Sequence, residues 1–267
     1  MSALGSLTVG TLTMQSPTVL NVPFQYGNLS YTLWTNVNWP AQKTNTGFYN
    51  YDTLTIATNR QLWTWPLNLS CVGKGLDDGG YQHVLLSSNC VLMNCHYNPS
   101  VGERVQFTDT NGNPQVGYVS NLISLCDMTI AQMSNGYPSS VVPPSIFPAN
   151  WTNKLSGKTP IGLPVFWCHK NTTTIEYAVV NQWSPSNNPP AITMGLNCST
   201  KYPRGGNSAT GGDSGSPAFM SFDGSPVLLF TVTSPTAGCM VSDPQRFSLV
   251  TNSASVRIVD LSSYPDQ

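Results

Sequence analysis

Short β-rich segments, separated by clusters of turn residues, recur along most of this chain and restrict it to an all-β architecture. β-branched and aromatic residues favour strands, whereas Gly, Pro, Asn, Asp and Ser favour turns. No long segment shows the 3.6-residue apolar period of an amphipathic helix. Only 9% of the residues are charged, against about a quarter in typical domains. This pattern is typical of β-barrels or sandwiches, and the clearest predicted strands are 53–57, 84–86, 91–95, 104–108, 115–119, 161–167, 173–180 and 227–233.

One turn carries a serine between two glycines, in the sequence Gly212-Asp213-Ser214-Gly215-Ser216-Pro217. Glycines allow positive φ and a close approach of the backbone to a substrate. The N–H groups of Gly212 and Ser214 are then candidates for an oxyanion hole. Such a turn is also found in plain hairpins, so the motif alone does not separate a nucleophile from an ordinary bend.

A serine nucleophile needs a base and a third group that orients the base. The chain has three histidines, and His96 is the candidate base because it follows the apolar run 91–95. His83 and His169 are expected to be ordinary surface or strand residues. Asp127 is the candidate orienting acid, since it opens the apolar run 128–131. Asp109 is the alternative acid, but the turn residues that follow it predict a hairpin, so Asp127 is preferred.

Together the three segments resemble the motifs of trypsin/chymotrypsin-like serine proteases. Val91-Leu92-Met93-Asn94-Cys95-His96 matches the family's histidine segment, Asp127-Met128-Thr129-Ile130-Ala131 its aspartate segment, and the Ser214 turn its Gly-Asp-Ser-Gly motif. The order along the chain also agrees, and the short separation of His96 from Asp127 resembles the compact viral and bacterial members. The resemblance covers roughly residues 75 to 260. It implies two Greek-key six-stranded β-barrels, with His96 and Asp127 from the first barrel and Ser214 from the second.

The domain organisation expected on this basis is an N-terminal extension at 1–50, a first barrel at 51–135 and a second barrel at 136–267. The chain is longer before His96 than mature family members. The extra residues fit a propeptide, an added β-element over the barrels or an arm that pairs with another subunit. Their aromatic, weakly charged composition favours an ordered extension.

The resemblance also implies where a substrate binds. Ser208 falls at the floor of the primary specificity pocket with Ala209 beside it, which resembles a pocket for apolar or aromatic side chains. Thr233 and Ser234 end a strand that resembles the pocket wall, where an extended substrate pairs with the backbone. Pro235 stands where the family often has glycine, so either one substrate contact is missing or the register differs.

Asp213 has a structural role in the family, in which it pairs with an α-amino group released by zymogen cleavage. No Ile-Val-Gly-Gly start precedes His96. The resemblance therefore implies that this activation switch is missing here.

The seven cysteines are an odd number, and they are expected to be mostly reduced and buried, with no disulfide predicted. Cys90, Cys95 and His96 lie close together, but no second Cys-x-x-Cys pair accompanies them, so no metal is expected. No phosphate-binding glycine motif is present, and no cofactor is expected.

The net charge of −1 and the few Lys and Arg residues argue against a nucleic-acid partner. No run of 18 apolar residues is present, so no membrane span is expected. The start has neither a basic nor an apolar signal region, which leaves open a mature form, a leaderless protein, a virion component or a piece of a polyprotein. The composition favours an extracellular or virion location over the cytoplasm, and association with like subunits or into a virion is plausible.

Two functional hypotheses follow. The first is a serine endopeptidase that hydrolyses polypeptides through Ser214, His96 and Asp127 and an acyl-enzyme intermediate. The alternative is a trypsin-fold structural or virion-associated protein whose activity is latent or limited to its own processing.

Overall fold

A computed structural model of the protein describes residues 19–27, 29–36, 64, 67–125, 128–155, 157, 159–170, 174–187, 190–197, 209–234 and 237–266. The predicted strand at 53–57 lies outside these residues. Two strands of the N-terminal region, β1 (Val19–Tyr26) and β2 (Leu29–Asn36), pair as an antiparallel hairpin. They reverse direction through Gly27, whose φ is +58°.

Six antiparallel strands then close into the first barrel, in the order β3-β4-β5-β8-β7-β6. Their inward side chains form an apolar core in which Leu85, Leu92, Phe107 and Ile130 are fully buried. The long strand β7 alternates buried and exposed positions over its first half, as expected of a barrel wall with one face to solvent. The strands are β3 (Val72–Gly75), β4 (Gln82–Ser87), β5 (Cys90–Asn94), β6 (Arg104–Thr108), β7 (Pro114–Leu125) and β8 (Met128–Met133).

The second barrel repeats this topology. Its six strands close in the order β10-β11-β12-β15-β14-β13, because β13 pairs with both β10 and β14. Two short strands, β9 (Ser145–Ile146) and β16 (Arg257–Ile258), run parallel to each other, and β9 also pairs in parallel with β14. The barrel strands are β10 (Pro164–His169), β11 (Thr174–Asn187), β12 (Pro190–Asn197), β13 (Pro217–Phe222), β14 (Ser225–Ser234) and β15 (Ala237–Met240). The prediction of an all-β chain with two Greek-key six-stranded barrels is confirmed.

The described residues also include one α-helix, α1 (Pro244–Ser253), which the apolar pattern does not reveal. Its start is set by Asp243, whose carboxylate accepts the N–H groups of Gln245 and Arg246, and by a proline in the first turn. No helix in the described part of the chain is long and apolar enough to span a membrane.

An apolar interface joins the two barrels. Phe166 of β10 stacks on Phe219 of β13 with ring centroids 5.4 Å apart, and both pack into the same buried cluster as the first-barrel core. Continuous burial of this kind fixes the two barrels against each other. Side chains from the two barrels can therefore form one site.

The β1–β2 hairpin packs against the second barrel. Leu29 is fully buried in that barrel's core cluster, and a Cβ at Gly27 would lie 2.7 Å from the backbone of Leu155. The Tyr26 hydroxyl donates to the carbonyls of Thr159 and Ile161. The described part of the N-terminal region is thus an added β-element over a barrel, one of the three forms that the sequence leaves open. The domain boundaries at 50 and 135 stay predictions.

Candidate active site

His96 lies directly after the first-barrel strand β5, in a 3₁₀ turn formed by Cys95–Tyr97. The strand ends there because the side-chain oxygen of Asn94 accepts the His96 N–H at 2.8 Å. That contact replaces a strand hydrogen bond with a local turn. Asn98, with φ of +56°, turns the chain away again. The imidazole is therefore held out from the barrel end and is exposed.

Ser214 lies in a glycine-bracketed turn that leads into β13. Gly212 and Gly215 have φ of +98° and +89°, values that favour glycine. A Cβ at Gly215 would lie only 2.4 Å from the carbonyl oxygen of Gln82, so this position needs glycine for close packing as well. The Gly215 N–H donates to Val232, and the Val232 N–H donates to Ser216. The turn is thereby fixed to β14.

The structure brings His96 and Ser214 together from different barrels. The His96 Nδ1 lies 3.2 Å from the Ser214 Oγ, within hydrogen-bond reach. In a Ser-His-Asp triad the other ring nitrogen, Nε2, faces the serine and Nδ1 faces the aspartate. The predicted pair lies within hydrogen-bond distance, but the imidazole presents Nδ1 and not Nε2 to the serine.

Asp127 lies outside the described residues, and its role as the orienting acid stays a prediction. Of the described residues, Met128 pairs with Asn94 of β5 and with Leu125 of β7. Asn94 is two residues before His96. Asp109, the alternative acid, accepts the N–H groups of Asn111 and Asn113 in the turn between β6 and β7, as its sequence predicts.

The backbone N–H groups of Gly212 and Ser214 are the predicted oxyanion donors. Neither donates a hydrogen bond to any residue that the structure describes. The neighbouring N–H groups of Asp213, Gly215 and Ser216 all donate to backbone carbonyls. The serine turn thus has one N–H donor on each side of Asp213 that no described residue accepts.

Asp213 is fully buried and forms an ion pair with the buried His169 of β10, with 3.1 Å between Asp213 Oδ1 and His169 Nδ1. Its second oxygen accepts the backbone N–H and the hydroxyl of Thr210. The sequence predicts only an ordinary residue at His169. Instead, His169 is a buried histidine partner of Asp213, in the place that the family resemblance assigns to a released α-amino group.

Asn94 is a site residue that the sequence analysis missed. Its side-chain nitrogen donates to the Val232 carbonyl at 3.3 Å, while its oxygen holds the His96 N–H. Asn94 is fully buried, and these two hydrogen bonds satisfy its polar side chain.

The predicted substrate-binding residues are only partly described. Ala209 is buried, Thr233 is half-buried and Ser234 is exposed at the end of β14. Ser208 and Pro235 lie outside the described residues. The roles assigned to Ser208, Ala209, Thr233 and Ser234 stay predictions.

Three cysteines in the described part of the chain, Cys71, Cys90 and Cys168, are free and buried, as expected. Burial raises the pKa of the Cys90 thiol to about 11 and raises those of the other two as well. Such thiols are poor nucleophiles and poor metal ligands. Among the described residues, the one group of metal-ligating side chains that lie together is Asp78, His83 and Glu103, in the first barrel.

Comparison with known proteins supports the fold. No family model matches the sequence, and no curated protein is similar to it. Solved structures are similar: an atomic-resolution structure of HBP matches with a TM-score of 0.50 and 13% identity, over 70% of this chain and 93% of that one. A mutant of human heparin binding protein matches with a TM-score of 0.49, 15% identity and coverage of 69% and 92%. A scabies mite inactivated protease paralogue matches with a TM-score of 0.48, 12% identity and coverage of 68% and 92%. With its two closed barrels, the chain has the fold of the trypsin/chymotrypsin-like serine proteases.

Proposed function

We propose that this chain is a serine endopeptidase in which Ser214 attacks a peptide carbonyl. The observation that carries the proposal is the 3.2 Å separation of His96 Nδ1 and Ser214 Oγ. A serine hydroxyl becomes nucleophilic when an adjacent base removes its proton, and an imidazole within this distance is such a base.

His96 is the proton carrier in this reaction. It takes the proton as Ser214 Oγ bonds to the carbonyl carbon, and it gives the proton to the leaving amine as the C–N bond breaks. Water then hydrolyses the acyl-enzyme by the same route. Because the imidazole is exposed, it is free to rotate and present Nε2 to Ser214. Rotation also frees Nδ1 for an orienting acid, the role that we propose for Asp127.

The N–H groups of Gly212 and Ser214 stabilise the oxyanion. This assignment is supported by the finding that neither N–H group donates to another described residue. Both groups can therefore donate to the substrate oxygen as negative charge develops on it. Each such donor is typically worth ~3 to 4 kcal/mol in the transition state.

The turn is held in place by the chain's own side chains. Asp213 below the turn already has a buried partner in His169. We therefore propose that the serine turn does not depend on an α-amino group released by cleavage.

The substrate is a polypeptide in extended conformation. Thr233 and Ser234 end β14, the strand that borders the serine turn, where a substrate strand can pair with the backbone. Ser208 and Ala209 are the proposed pocket residues, and without a charged group there the pocket suits apolar or aromatic side chains.

One observation favours the alternative of a protein with latent or self-limited activity. The imidazole presents Nδ1 to the serine, and with this ring position Nδ1 is not free to meet an orienting acid. A protein that keeps this ring position has the two-barrel fold but does not hydrolyse peptide bonds.

Hydrolysis of a peptide library, read by mass spectrometry, tests the proposal. The wild type should cleave internal peptide bonds, and Ser214→Ala should not. Ser216→Ala is the matched control, because its buried hydroxyl bonds to no described residue, and it should cleave like the wild type. Equal cleavage by wild type and Ser214→Ala, or none by either, would reject the proposed activity.

A further inference from the structure

A second cluster of ionisable side chains lies inside the first barrel, apart from Ser214. Asp78 is in the loop between β3 and β4, His83 is on β4 and Glu103 directly precedes β6. Their ligand atoms lie within 4.8 Å of one another. His83 is fully buried, and the Asp78 side chain and Glu103 are 2% and 6% exposed. Burying two carboxylates together costs free energy unless a cation or protons compensate for the charge.

Both Asp78 oxygens have partners, whereas one oxygen of Glu103 has none among the described residues. The Asp78 Oδ1 accepts the N–H groups of Gly80 and Tyr81 at 2.8 and 3.1 Å, while its Oδ2 lies 2.9 Å from His83 Nε2. The Glu103 Oε2 accepts the Ser100 N–H at 3.0 Å. The Glu103 Oε1 is buried and accepts no hydrogen bond from any described residue. A buried carboxylate oxygen without a protein partner is a position that a cation, a proton or a water can occupy.

The loop between β3 and β4 folds back so that the Asp78 carboxylate lies against Gly75, the last residue of β3. A Cβ at Gly75 would lie 2.1 Å from the Asp78 carboxylate, so only glycine permits this folded loop. The carboxylate is therefore held in the cluster by the backbone conformation as well as by hydrogen bonds.

We propose that Asp78, His83 and Glu103 bind a divalent metal ion, and that Zn²⁺ fits best. One imidazole and two carboxylates are ligands that Zn²⁺ accepts, whereas Ca²⁺ needs six to eight oxygens and Mg²⁺ keeps several waters. Ligands of a tetrahedral zinc ion lie roughly 3.3 Å apart, and because the ligand atoms here lie within 4.8 Å of one another, small side-chain shifts are enough for binding. The ion replaces the proton between His83 Nε2 and Asp78 Oδ2, and that proton is released to solvent.

Tyr97 connects this site to the turn that carries His96. Its hydroxyl lies 3.3 Å from His83 Nε2, and its ring stacks on the Tyr81 ring with the centroids 4.7 Å apart. Tyr97 follows His96 in the same 3₁₀ turn. The contact between Tyr97 and His83 therefore links the proposed metal site on β4 to the turn that carries His96. This inference does not depend on the proposed protease activity.

The competing explanation is a cluster held together by protons alone. Burial raises the pKa of Glu103, and the nearby Asp78 charge raises it further. A protonated Glu103 with an Asp78–His83 ion pair would leave the cluster neutral without metal. The experiment must separate these two states.

The first measurement uses the full chain purified without chelators. Elemental analysis should find about one zinc per chain. After chelation, added Zn²⁺ should raise the melting temperature by roughly 5 °C or more. Co²⁺ in place of Zn²⁺ should give the absorption of a four-coordinate nitrogen and oxygen site, with no thiolate charge-transfer band. Less than about a tenth of an equivalent of metal with no thermal shift, or a thiolate spectrum, would overturn the proposal.

Two variants test the ligands. Glu103→Gln keeps the size of the side chain and should weaken Zn²⁺ binding at least about tenfold. Asp109→Asn, which alters another buried carboxylate of the same barrel, should bind Zn²⁺ like the wild type. Equal Zn²⁺ affinity in both variants would place the ion elsewhere and reject the site. The cobalt spectrum of the wild type decides the ligand set even if Glu103→Gln does not fold.

Discussion

The side-chain amide of Asn94 donates to the carbonyl of Val232 at 3.3 Å, and this contact joins the strand before His96 to the strand beside Ser214. The Val232 carbonyl also accepts the Gly215 N–H at 2.9 Å. The oxygen of the same Asn94 amide holds the His96 N–H. One buried amide therefore positions both members of the candidate catalytic pair relative to each other.

Replacement of Asn94 should reduce the reactivity of Ser214 more than it reduces the stability of the fold. Asn94→Ala removes both hydrogen bonds and should cost about 2 kcal/mol of unfolding free energy. It should also slow the reaction of Ser214 with a fluorophosphonate at least about tenfold, because a small displacement of the base is enough to do so. Urea unfolding and labelling kinetics measure the two effects.

Asn94→Asp separates the two contacts of this residue. It keeps the acceptor for the His96 N–H and loses the donor to Val232. Exposed Asn135→Ala, which loses two surface hydrogen bonds, is the control and should label like the wild type. Normal labelling of Asn94→Ala would show that the amide does not position the pair.

The two glycines at 211 and 215 should respond differently to alanine. At Gly215 the added Cβ meets the Gln82 carbonyl at 2.4 Å and φ is +89°, whereas at Gly211 nothing lies within 4 Å. Gly215→Ala should therefore distort the serine turn and abolish labelling, and Gly211→Ala should retain it. Intact mass after labelling reads out both variants, and similar labelling of the two would contradict the structure of the turn.

The buried Asp213–His169 pair should behave as a unit. His169→Leu leaves a buried carboxylate without its ion-pair partner, a loss of about 3 to 5 kcal/mol. Asp213→Asn combined with His169→Leu removes both partners and should lose less unfolding free energy than Asp213→Asn and His169→Leu added together. Unfolding free energies of the four proteins form the cycle. Additive losses would show that the two side chains are not coupled.

Stability at Asp109 should depend on pH. Burial raises the pKa of this carboxyl, but hydrogen bonds from Asn113 and Asn111 outweigh that effect and lower the pKa overall. The ionised form is thus preferred in the folded state, and its contribution is complete above the unfolded pKa of about 3.9 and is lost as the pH falls through the folded value. Asp109→Asn should therefore be about 1 kcal/mol less stable than the wild type at pH 7. That gap should shrink toward pH 3 in urea titrations, and a gap that stays constant with pH would contradict the prediction.

Most of the fold could be predicted from local sequence. The apolar runs predicted at 91–95 and 128–131 form paired strands, although the first strand ends at Asn94 and Cys95 begins the 3₁₀ turn. The turn at Asp109 lies where its residues indicate. The helix α1 could not be predicted in this way, since its capping by Asp243 and the burial of Arg246 and Val250 replace a continuous apolar stripe.

The residues of the candidate site could be predicted from the sequence where they belong to a contiguous motif. Ser214 and His96 each sit in a recognisable segment, and the structure brings them together. Asn94, His169 and the Asp78–His83–Glu103 cluster were not predictable, because their roles depend on contacts between residues far apart in sequence. A buried histidine that pairs with a carboxylate looks the same in sequence as a histidine on a surface strand.

The reaction of Ser214 with a fluorophosphonate probe tests the central claim most directly, since the probe modifies serines that a nearby base has activated. Intact mass should show one adduct on the wild type, mapped to Ser214, and none on Ser214→Ala or His96→Ala. An unlabelled wild type, or equal labelling of His96→Ala, would contradict the claim that His96 and Ser214 form a working nucleophile.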